Sequence, residues 1–311
     1  MQLMTRRRRG GWAGLAMALG AVLALTSPVQ ADEPSNAALK ADIEVLKKRL
    51  AALENKLTEA DLKGTTGIGE KAGLPTLELP SGLQGLGLSG YADISYIYNL
   101  NEQNNFGNSG RVFDTEGNGF TPHAFELVLE KPVSDEMPFG FRTDLFYGDD
   151  AGVFGATGLG SSTDEFELEQ AYVTARAPLG NGLDFKVGKF VTLLGAEVIE
   201  SPANWNFSRS YMFGYSIPFT HTGALASYAW TDWLSTTGGL VNGWDIVDDN
   251  NKAKTFLGNL TLGPWNNLTL SINPIYGAEQ ANNGHDQRGV LSNILSWMPN
   301  DQWAFMANWD Y

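Results

Sequence analysis

The chain has 311 residues, with 21 lysine and arginine residues against 35 aspartate and glutamate residues, and a formal net charge of −14. This charge argues against binding of nucleic acid or anionic lipid headgroups through a basic surface. The sequence contains no cysteine, which excludes disulfides and thiolate metal sites, and no run of about 20 apolar residues follows the N-terminal leader, which argues against a helical membrane protein.

Residues 1–31 are predicted to form a secretory signal peptide. Arg6–Arg9 supply a basic n-region, and Trp12–Leu25 supply the apolar h-region. Val29 and Ala31 place small side chains at positions −3 and −1 of a cleavage site. The alternative is an uncleaved anchor helix, for which the apolar stretch is short. We therefore expect the mature chain to be exported across an inner membrane.

A heptad repeat follows the leader and predicts a coiled-coil helix over residues 35–63. Its apolar residues step alternately by four and three along the chain: Leu39, Ile43, Leu46, Leu50, Leu53, Leu57 and Ala60. Such a narrow stripe favours self-association over an amphipathic helix packed on its own domain. We expect a homo-oligomer, either a dimer or a trimer, with this coiled coil in the periplasm. Residues 64–84 have few large side chains and are predicted to be a linker.

The remaining sequence, residues 85–311, alternates apolar and polar residues with a period of two. The first predicted strand places Leu88 and Ile94 on one face and Ser89 and Asp93 on the other. The alternation continues for about 15 residues, whereas strands of soluble sheets average five or six. It therefore suits a strand that crosses a membrane. The pattern recurs in roughly ten to twelve segments.

Details of the pattern predict an irregular strand and an asymmetric set of connections. The phase of the alternation slips once between Phe166 and Ala177, which either a β-bulge or a strand leaving the membrane would explain. Short turns are predicted at 178–182, 231–232, 263–267 and 298–302, and long polar loops at 101–121, 148–163, 245–254 and 278–289. Aromatic residues gather at strand ends, as in an interfacial girdle.

These features together predict an all-β fold, an antiparallel transmembrane β-barrel preceded by the short coiled coil. In hydrocarbon every backbone N–H and C=O must be paired, so a membrane-spanning sheet has to close. Apolar side chains then face lipid, and the polar side chains face a wet interior. The alternative is a soluble β-sandwich or barrel in which the same two faces are inverted.

Residues 188–223 read GKFVTLLGAEVIESPANWNFSRSYMFGYSIPFTHTG and resemble the β-barrel porin family described as OmpL-like (porin-2 group) of Gram-negative outer membranes. The resemblance rests on Gly188-Lys189-Phe190, Gly195, Glu197, Asn204-Trp205-Asn206, Ser208-Arg209-Ser210, Phe213 and Pro218–Gly223, and extends more weakly over 85–311. It implies an outer-membrane barrel with a pore function. Barrels of this kind often have more residues, and Asn308–Tyr311 looks like a mid-barrel strand. We therefore expect a barrel that is incomplete at the C-terminus.

Charged residues on the polar face of the predicted strands are candidates for the pore wall. They are Asp93, Glu126, Glu130, Arg142, Asp144, Glu169, Arg176, Asp184 and Lys186. An acidic wall raises the local cation concentration, which predicts a weakly cation-preferring pore. The alternative is that most of the acidic residues lie on outer loops, where they would contribute to solubility and not to ion selectivity.

The stretch 191–221 mixes charged and aromatic residues and has two interpretations. It is either a constriction loop folded into the barrel or a rim loop followed by a further pair of strands. The candidate constriction residues are Lys189, Glu197, Glu200, Arg209 and His221. No metal-ligand spacing and no cofactor motif is recognised.

We predict a non-enzymatic outer-membrane porin, a passive diffusion channel for small hydrophilic solutes or ions that contacts outer-membrane lipid and needs no cofactor. No catalytic residue is assigned. One alternative is an outer-membrane anchor whose periplasmic coiled coil tethers the envelope. A second is a barrel lipid hydrolase that depends on His221 and a nearby hydroxyl group.

Overall fold

The fold was determined as a computed structural model, which describes residues 85–100, 107–134, 136–159 and 165–311. The predicted signal peptide, coiled coil and linker lie outside these residues. In the described part of the chain, eleven strands form one sheet in which each strand pairs antiparallel with its sequence neighbour. The antiparallel architecture and the expected strand number are confirmed.

The strands are β1 (Gly87–Ile97), β2 (Gly119–Lys131), β3 (Phe139–Tyr147), β4 (Phe166–Ala177), β5 (Leu183–Val191), β6 (Thr220–Thr231), β7 (Leu234–Val241), β8 (Thr255–Trp265), β9 (Leu268–Gln280), β10 (Asn283–Asn300) and β11 (Trp303–Asp310). The connections of the described chain also contain two short helices, α1 (Ala151–Phe154) and α2 (Tyr211–Ser216), and a 3₁₀ turn at Ser201–Ala203. No described helix is both long enough and apolar enough to span a membrane. Within the described residues β1 and β11 are edge strands, and closure of the sheet stays a prediction.

The two faces of the sheet follow the alternation of the sequence. Leu88 and Ile94 on β1 are 64% and 61% exposed, whereas Tyr91, Asp93 and Ser95 on the opposite face are partly covered. Successive side chains of a strand point to opposite sides, so one local pattern sorts each strand into two faces. We call the face with the exposed apolar residues the outer face, and the other the inner face.

A β-bulge in β4 accounts for the slip in the alternation. Asp144 of β3 pairs with Gln170, and Leu145 pairs with Leu168, so Glu169 is the extra residue of β4. The bulge lets Leu168 and Ala171 both fall in the outer-face phase although they are three residues apart. Of the two explanations for the slip, the bulge is confirmed, and it brings the Glu169 side chain beside the inner-face residues.

Short and long connections alternate along the sheet, with one exception to the prediction. The segment 278–289 is not a long loop, because β9 ends at Gln280 and β10 begins at Asn283. Asn282 takes a positive φ of 61° in this tight turn, a conformation that asparagine tolerates. The prediction of a loop is wrong here because the polar residues at the end of this hairpin still pair through their backbones.

Aromatic residues mark the outer face near the short turns. Trp233 and Trp265 lie with ring centroids 6.0 Å apart, and Trp297 lies 5.6 Å from Phe305. These rings are substantially exposed, unlike the aromatic rings of a soluble core. Their placement fits the interfacial belt of an outer-membrane sheet.

Most of the buried apolar side chains come from the long connections and the inner face. Phe113 of the β1–β2 connection contacts Phe213 and Phe219 at centroid distances of 5.8 and 5.7 Å. Leu194 and Ile199 of the β5–β6 connection belong to the same core. The connections therefore fold onto the inner face and pack there.

Candidate functional site

The β5–β6 connection, residues 192–219, crosses the inner face of the sheet, and we call it the inward segment. The Gly195 N–H donates to Ser292 Oγ on β10 at 3.1 Å, and the Ala196 N–H donates to Asn308 Oδ1 on β11 at 3.0 Å. The segment therefore leaves β5, reaches β10 and β11, and returns to β6. It contains no strand, which favours the loop interpretation over a further strand pair.

The return of the inward segment to β6 is fixed by a buried carboxylate. Asp245 accepts hydrogen bonds from the Phe219 N–H at 2.7 Å and the Thr220 N–H at 2.9 Å. Burial raises the pKa of Asp245 to about 6, although these two hydrogen bonds act in the opposite direction. Asp245 thus ties the β7–β8 connection to the end of the inward segment.

His221 has a structural position at the base of the same segment. Its Nδ1–H donates to the Gly243 carbonyl at 2.9 Å, so Nε2 accepts from the Thr192 hydroxyl at 3.1 Å. The side chain is buried. The hydroxyl at Nε2 belongs to a threonine, and no carboxylate orients the ring, so a hydrolase centred on His221 lacks the serine and the acid of a serine triad.

Arg209 and Glu197 maintain the shape of the inward segment. The Arg209 guanidinium donates to the Phe207 carbonyl at 3.2 Å and to the Ile199 carbonyl, and lies 4.4 Å from the Phe113 ring centroid. Glu197 accepts from the N–H and the hydroxyl of Ser210, the N-cap of α2. Arg209 is only 6% exposed, so it does not face Glu197 across an opening.

Lys189, the fifth candidate constriction residue, is also buried. Its ammonium group forms an ion pair with Glu167 and donates to the Leu168 carbonyl at 2.6 Å. Both partners belong to β4, so Lys189 connects β5 to its neighbouring strand. Of these candidates, Glu200 is the one that lies among carboxylates of the predicted pore wall.

Charged residues of the predicted pore wall are concentrated on strands β2 to β5. Arg142 pairs with Asp144 at 2.9 Å and with Glu130 at 3.5 Å, and Arg176 pairs with Asp184 at 2.7 Å. Lys186 places its ammonium 4.5 Å from the Tyr172 ring centroid. These groups lie on the inner face, as the alternation predicts.

In the middle of β6 to β9, by contrast, the inner face carries neutral polar groups. Ser227 bonds Thr237 at 2.8 Å, and Asn259 donates to Ser271 and Asn273 at 2.7 and 2.6 Å. These hydroxyl and amide groups satisfy one another across neighbouring strands. The sheet therefore has a charged sector and a neutral sector on one face, a division that the alternation alone did not reveal.

Four carboxylates meet where the inward segment approaches the charged sector, and we call them the carboxylate cluster. Glu126, Asp144 and Glu169 come from β2, β3 and β4, and Glu200 comes from the inward segment. One oxygen from each lies within 4.8 Å of the others. Burial raises the pKa of Glu200, and the neighbouring Asp144 acts in the same direction. The cluster joins two sets of residues that the sequence assigned separately, to the wall and to the constriction.

A second arrangement on the inner face was missed from the sequence. His123 Nδ1 lies 2.9 Å from Asp150 Oδ1, and His123 Nε2 lies 2.8 Å from Ser95 Oγ. His123 and Asp150 are buried, and the Phe207 ring packs edge-on against the imidazole at 5.2 Å. Burial raises the pKa of Asp150, whereas its hydrogen bond to His123 lowers it. The sequence indicated only that Ser95 belongs to the polar face of its strand. It did not give the pairing register of β1 and β2, because the connection between them is long.

Comparison with known proteins bears on this sheet. A family model with the description "Putative beta-barrel porin-2, OmpL-like" matches residues 85–311, the part of the chain that forms the eleven strands. Comparisons with curated proteins and with solved structures found no match. Porin families are generally non-enzymatic, and this one implies an outer-membrane location. Because the match covers well over half of its length, the chain belongs to the OmpL-like β-barrel porin-2 family.

Proposed function

We propose that the protein is a passive diffusion channel of the outer membrane for small hydrophilic solutes or ions. The observation that carries the proposal is the opposition of the two faces of the sheet. The outer face exposes apolar side chains, and the inner face carries ion pairs, hydroxyls and amides. A sheet of this composition is suited to lipid outside and water inside. The inward segment would narrow the lumen.

The charged sector supports a weak preference for cations. The acidic wall residues Asp93, Glu126, Glu130, Asp144, Glu169 and Asp184 outnumber the basic ones, Arg142, Arg176 and Lys186. The basic groups Arg142 and Arg176 are both paired with acidic ones. The surplus negative charge is carried by the buried Glu126, Asp144 and Glu169, so it attracts cations through the electrostatic field of the wall and not through contact with the lumen.

Reversal potentials in planar lipid bilayers test both parts of the proposal. We expect open channels whose reversal potential in a salt gradient shows cation preference, decreasing at high ionic strength because salt screens the wall. Glu130→Gln should reduce the preference, because Glu130 is a partly exposed wall carboxylate. Asp301→Asn, in the β10–β11 turn, is the matched control and should leave it unchanged. Anion preference would contradict the wall assignment, and silent bilayers would favour an anchor that tethers the envelope through its coiled coil.

Oligomerisation through the coiled coil of residues 35–63 belongs to the same proposal. Its support is the heptad spacing of the apolar residues. A channel formed by one chain would then occur as a dimer or trimer of channels.

A second candidate function, ester hydrolysis, is favoured by the contacts of His123. The Ser95–His123–Asp150 distances are those of a nucleophile, a general base and an orienting carboxylate. In such a reaction Ser95 Oγ bonds to the ester carbonyl carbon while its proton passes to His123 Nε2. That proton then leaves with the alcohol, and water releases the acid by the reverse proton route. We rank this function second because the family is generally non-enzymatic.

Labelling with a fluorophosphonate decides whether Ser95 is an activated nucleophile. An activated Ser95 would form a bond to phosphorus and release fluoride, and the label would map to a peptide containing Ser95. Both Ser95→Ala and His123→Ala should abolish labelling. Ser227→Ala, a hydroxyl of the neutral sector, is the control. Absence of label on the folded wild-type protein would eliminate this second function and leave the channel unaffected.

A further inference from the structure

We propose that the carboxylate cluster is a calcium site that fastens the inward segment to the strand wall. The ligands are Glu126, Asp144 and Glu169 on three adjacent strands and Glu200 on the inward segment. The proposal concerns binding and does not depend on the transport activity.

The spacing of the four carboxylates fits a single ion. Calcium–oxygen distances are about 2.3–2.6 Å, so two ligands on opposite sides of one ion lie up to about 5 Å apart. In the cluster, one oxygen from each residue lies within 4.8 Å of the others. The four residues therefore need little rearrangement to coordinate one ion together.

The strongest indication that the cluster binds a cation is Glu169. Its side chain is 0% exposed, and neither of its carboxylate oxygens has a hydrogen-bond partner. Glu126 Oε1 is buried without a partner as well. A buried carboxylate that is neither paired nor hydrogen-bonded is strongly unfavourable, and a bound cation removes this penalty for several carboxylates at once.

Arg142 contacts one member of the cluster, and the other nearby basic residues, Lys189 and Arg209, make their hydrogen bonds outside it. Arg142 contacts Asp144 and also Glu130, and Gln170 donates to Asp144. Lys189 contacts Glu167 and the Leu168 carbonyl instead of the cluster. The full charge of four ionised carboxylates therefore exceeds what Arg142 supplies, and a divalent ion balances most of the remainder.

The all-oxygen ligand set selects calcium among the common divalent ions. Calcium accepts six to eight oxygens in flexible geometry and takes carboxylates in monodentate or bidentate mode. Magnesium demands a near-ideal octahedron and retains water, which a buried cluster supplies poorly. Zinc prefers nitrogen and sulfur ligands. Since Glu200 is the only ligand from the inward segment, calcium would crosslink that segment to β2, β3 and β4.

Calorimetric titration of the full-length protein tests the site. The protein is refolded in detergent micelles free of lipopolysaccharide, treated with EGTA, desalted and titrated with CaCl₂. We expect one calcium ion per chain, with magnesium binding more weakly. Glu169→Gln should raise the apparent Kd at least 10- to 100-fold, since loss of a ligand costs no less than loss of an outer-sphere contact. Asp184→Asn, on the same face but paired with Arg176, should bind as the wild type does.

A second measurement keeps the test independent of any folding defect in one variant. Calcium should raise the thermal unfolding midpoint of the wild-type protein and protect the inward segment from proteolysis, and Glu200→Gln should lose both effects. The proposal would be overturned if the wild-type protein showed no saturable calcium binding. It would also be overturned if the Glu169→Gln and Glu200→Gln variants bound calcium as tightly as the wild-type protein does. A cluster that bound protons but no calcium would contradict it as well.

Discussion

Replacing Val173 by arginine is expected to destabilise the protein in a phospholipid bilayer by about 2–4 kcal/mol, the cost of a basic residue near the midplane of a lipid-facing strand. Val173 lies in the central part of β4, is 60% exposed, and pairs with Phe141 and Val187 on the outer face. Its side chain therefore meets lipid if the outer face is the membrane face. The measurement is urea denaturation of protein refolded in phospholipid vesicles.

Thr237→Arg is the matched control for this prediction. Thr237 lies in the middle of β7 and pairs with Ser227 and Asn259 on the inner face. An arginine there would extend into water, so we expect a change well below that of Val173→Arg. If the inner-face variant were the more damaging of the two, the faces would be inverted and the soluble alternative would be favoured.

The features that the sequence predicted correctly depend on local periodicity. The two faces of β1 follow from the period-two alternation of residues 87–97, because side-chain direction in a strand is a local property. The bulge at Glu169 also left a local trace, since one inserted residue shifts the phase of everything after it. Neither inference required knowing which strands meet.

The features that the sequence did not predict depend on long-range contacts. Glu126, Asp144, Glu169 and Glu200 were assigned to two different sets because nothing in their spacing indicates that the inward segment returns to β2, β3 and β4. The contact of Ser95 with His123 likewise depends on the register of a hairpin with a long connection. Chain entropy leaves such connections many possible paths, and packing selects one.

In the β9–β10 hairpin, local composition predicts a loop where the structure has paired strands. Asn282, Asn283 and Gly284 predict a loop, and a turn does begin there. The following residues nevertheless pair with β9 from Gln287 onward. Loop-like composition marks where a turn begins more reliably than where it ends, because backbone pairing on an exposed hairpin makes few demands on side chains.

Arg209→Ala is expected to raise the single-channel conductance, because it removes the contacts by which Arg209 holds the inward segment in its folded shape. The guanidinium joins the Ile199 and Phe207 carbonyls and stacks on Phe113, so its loss removes about 2–4 kcal/mol of contacts from hydrogen bonds to a charged group and a cation–π pair. A looser segment occupies less of the lumen on average. Planar-bilayer recording measures the effect as larger and noisier openings.

Arg209→Lys distinguishes the effect of the guanidinium contacts from the effect of the positive charge. Lysine keeps the positive charge but lacks the planar fork that spans two carbonyls while stacking on a ring, so we expect it to resemble the alanine variant. Arg288→Ala is the matched control, since Arg288 also stacks on an aromatic ring, Trp244, at 3.6 Å but lies on β10 outside the inward segment. If Arg209→Lys had the wild-type conductance, the effect would come from the charge. If Arg209→Ala had the wild-type conductance, the inward segment would not lie in the conduction path.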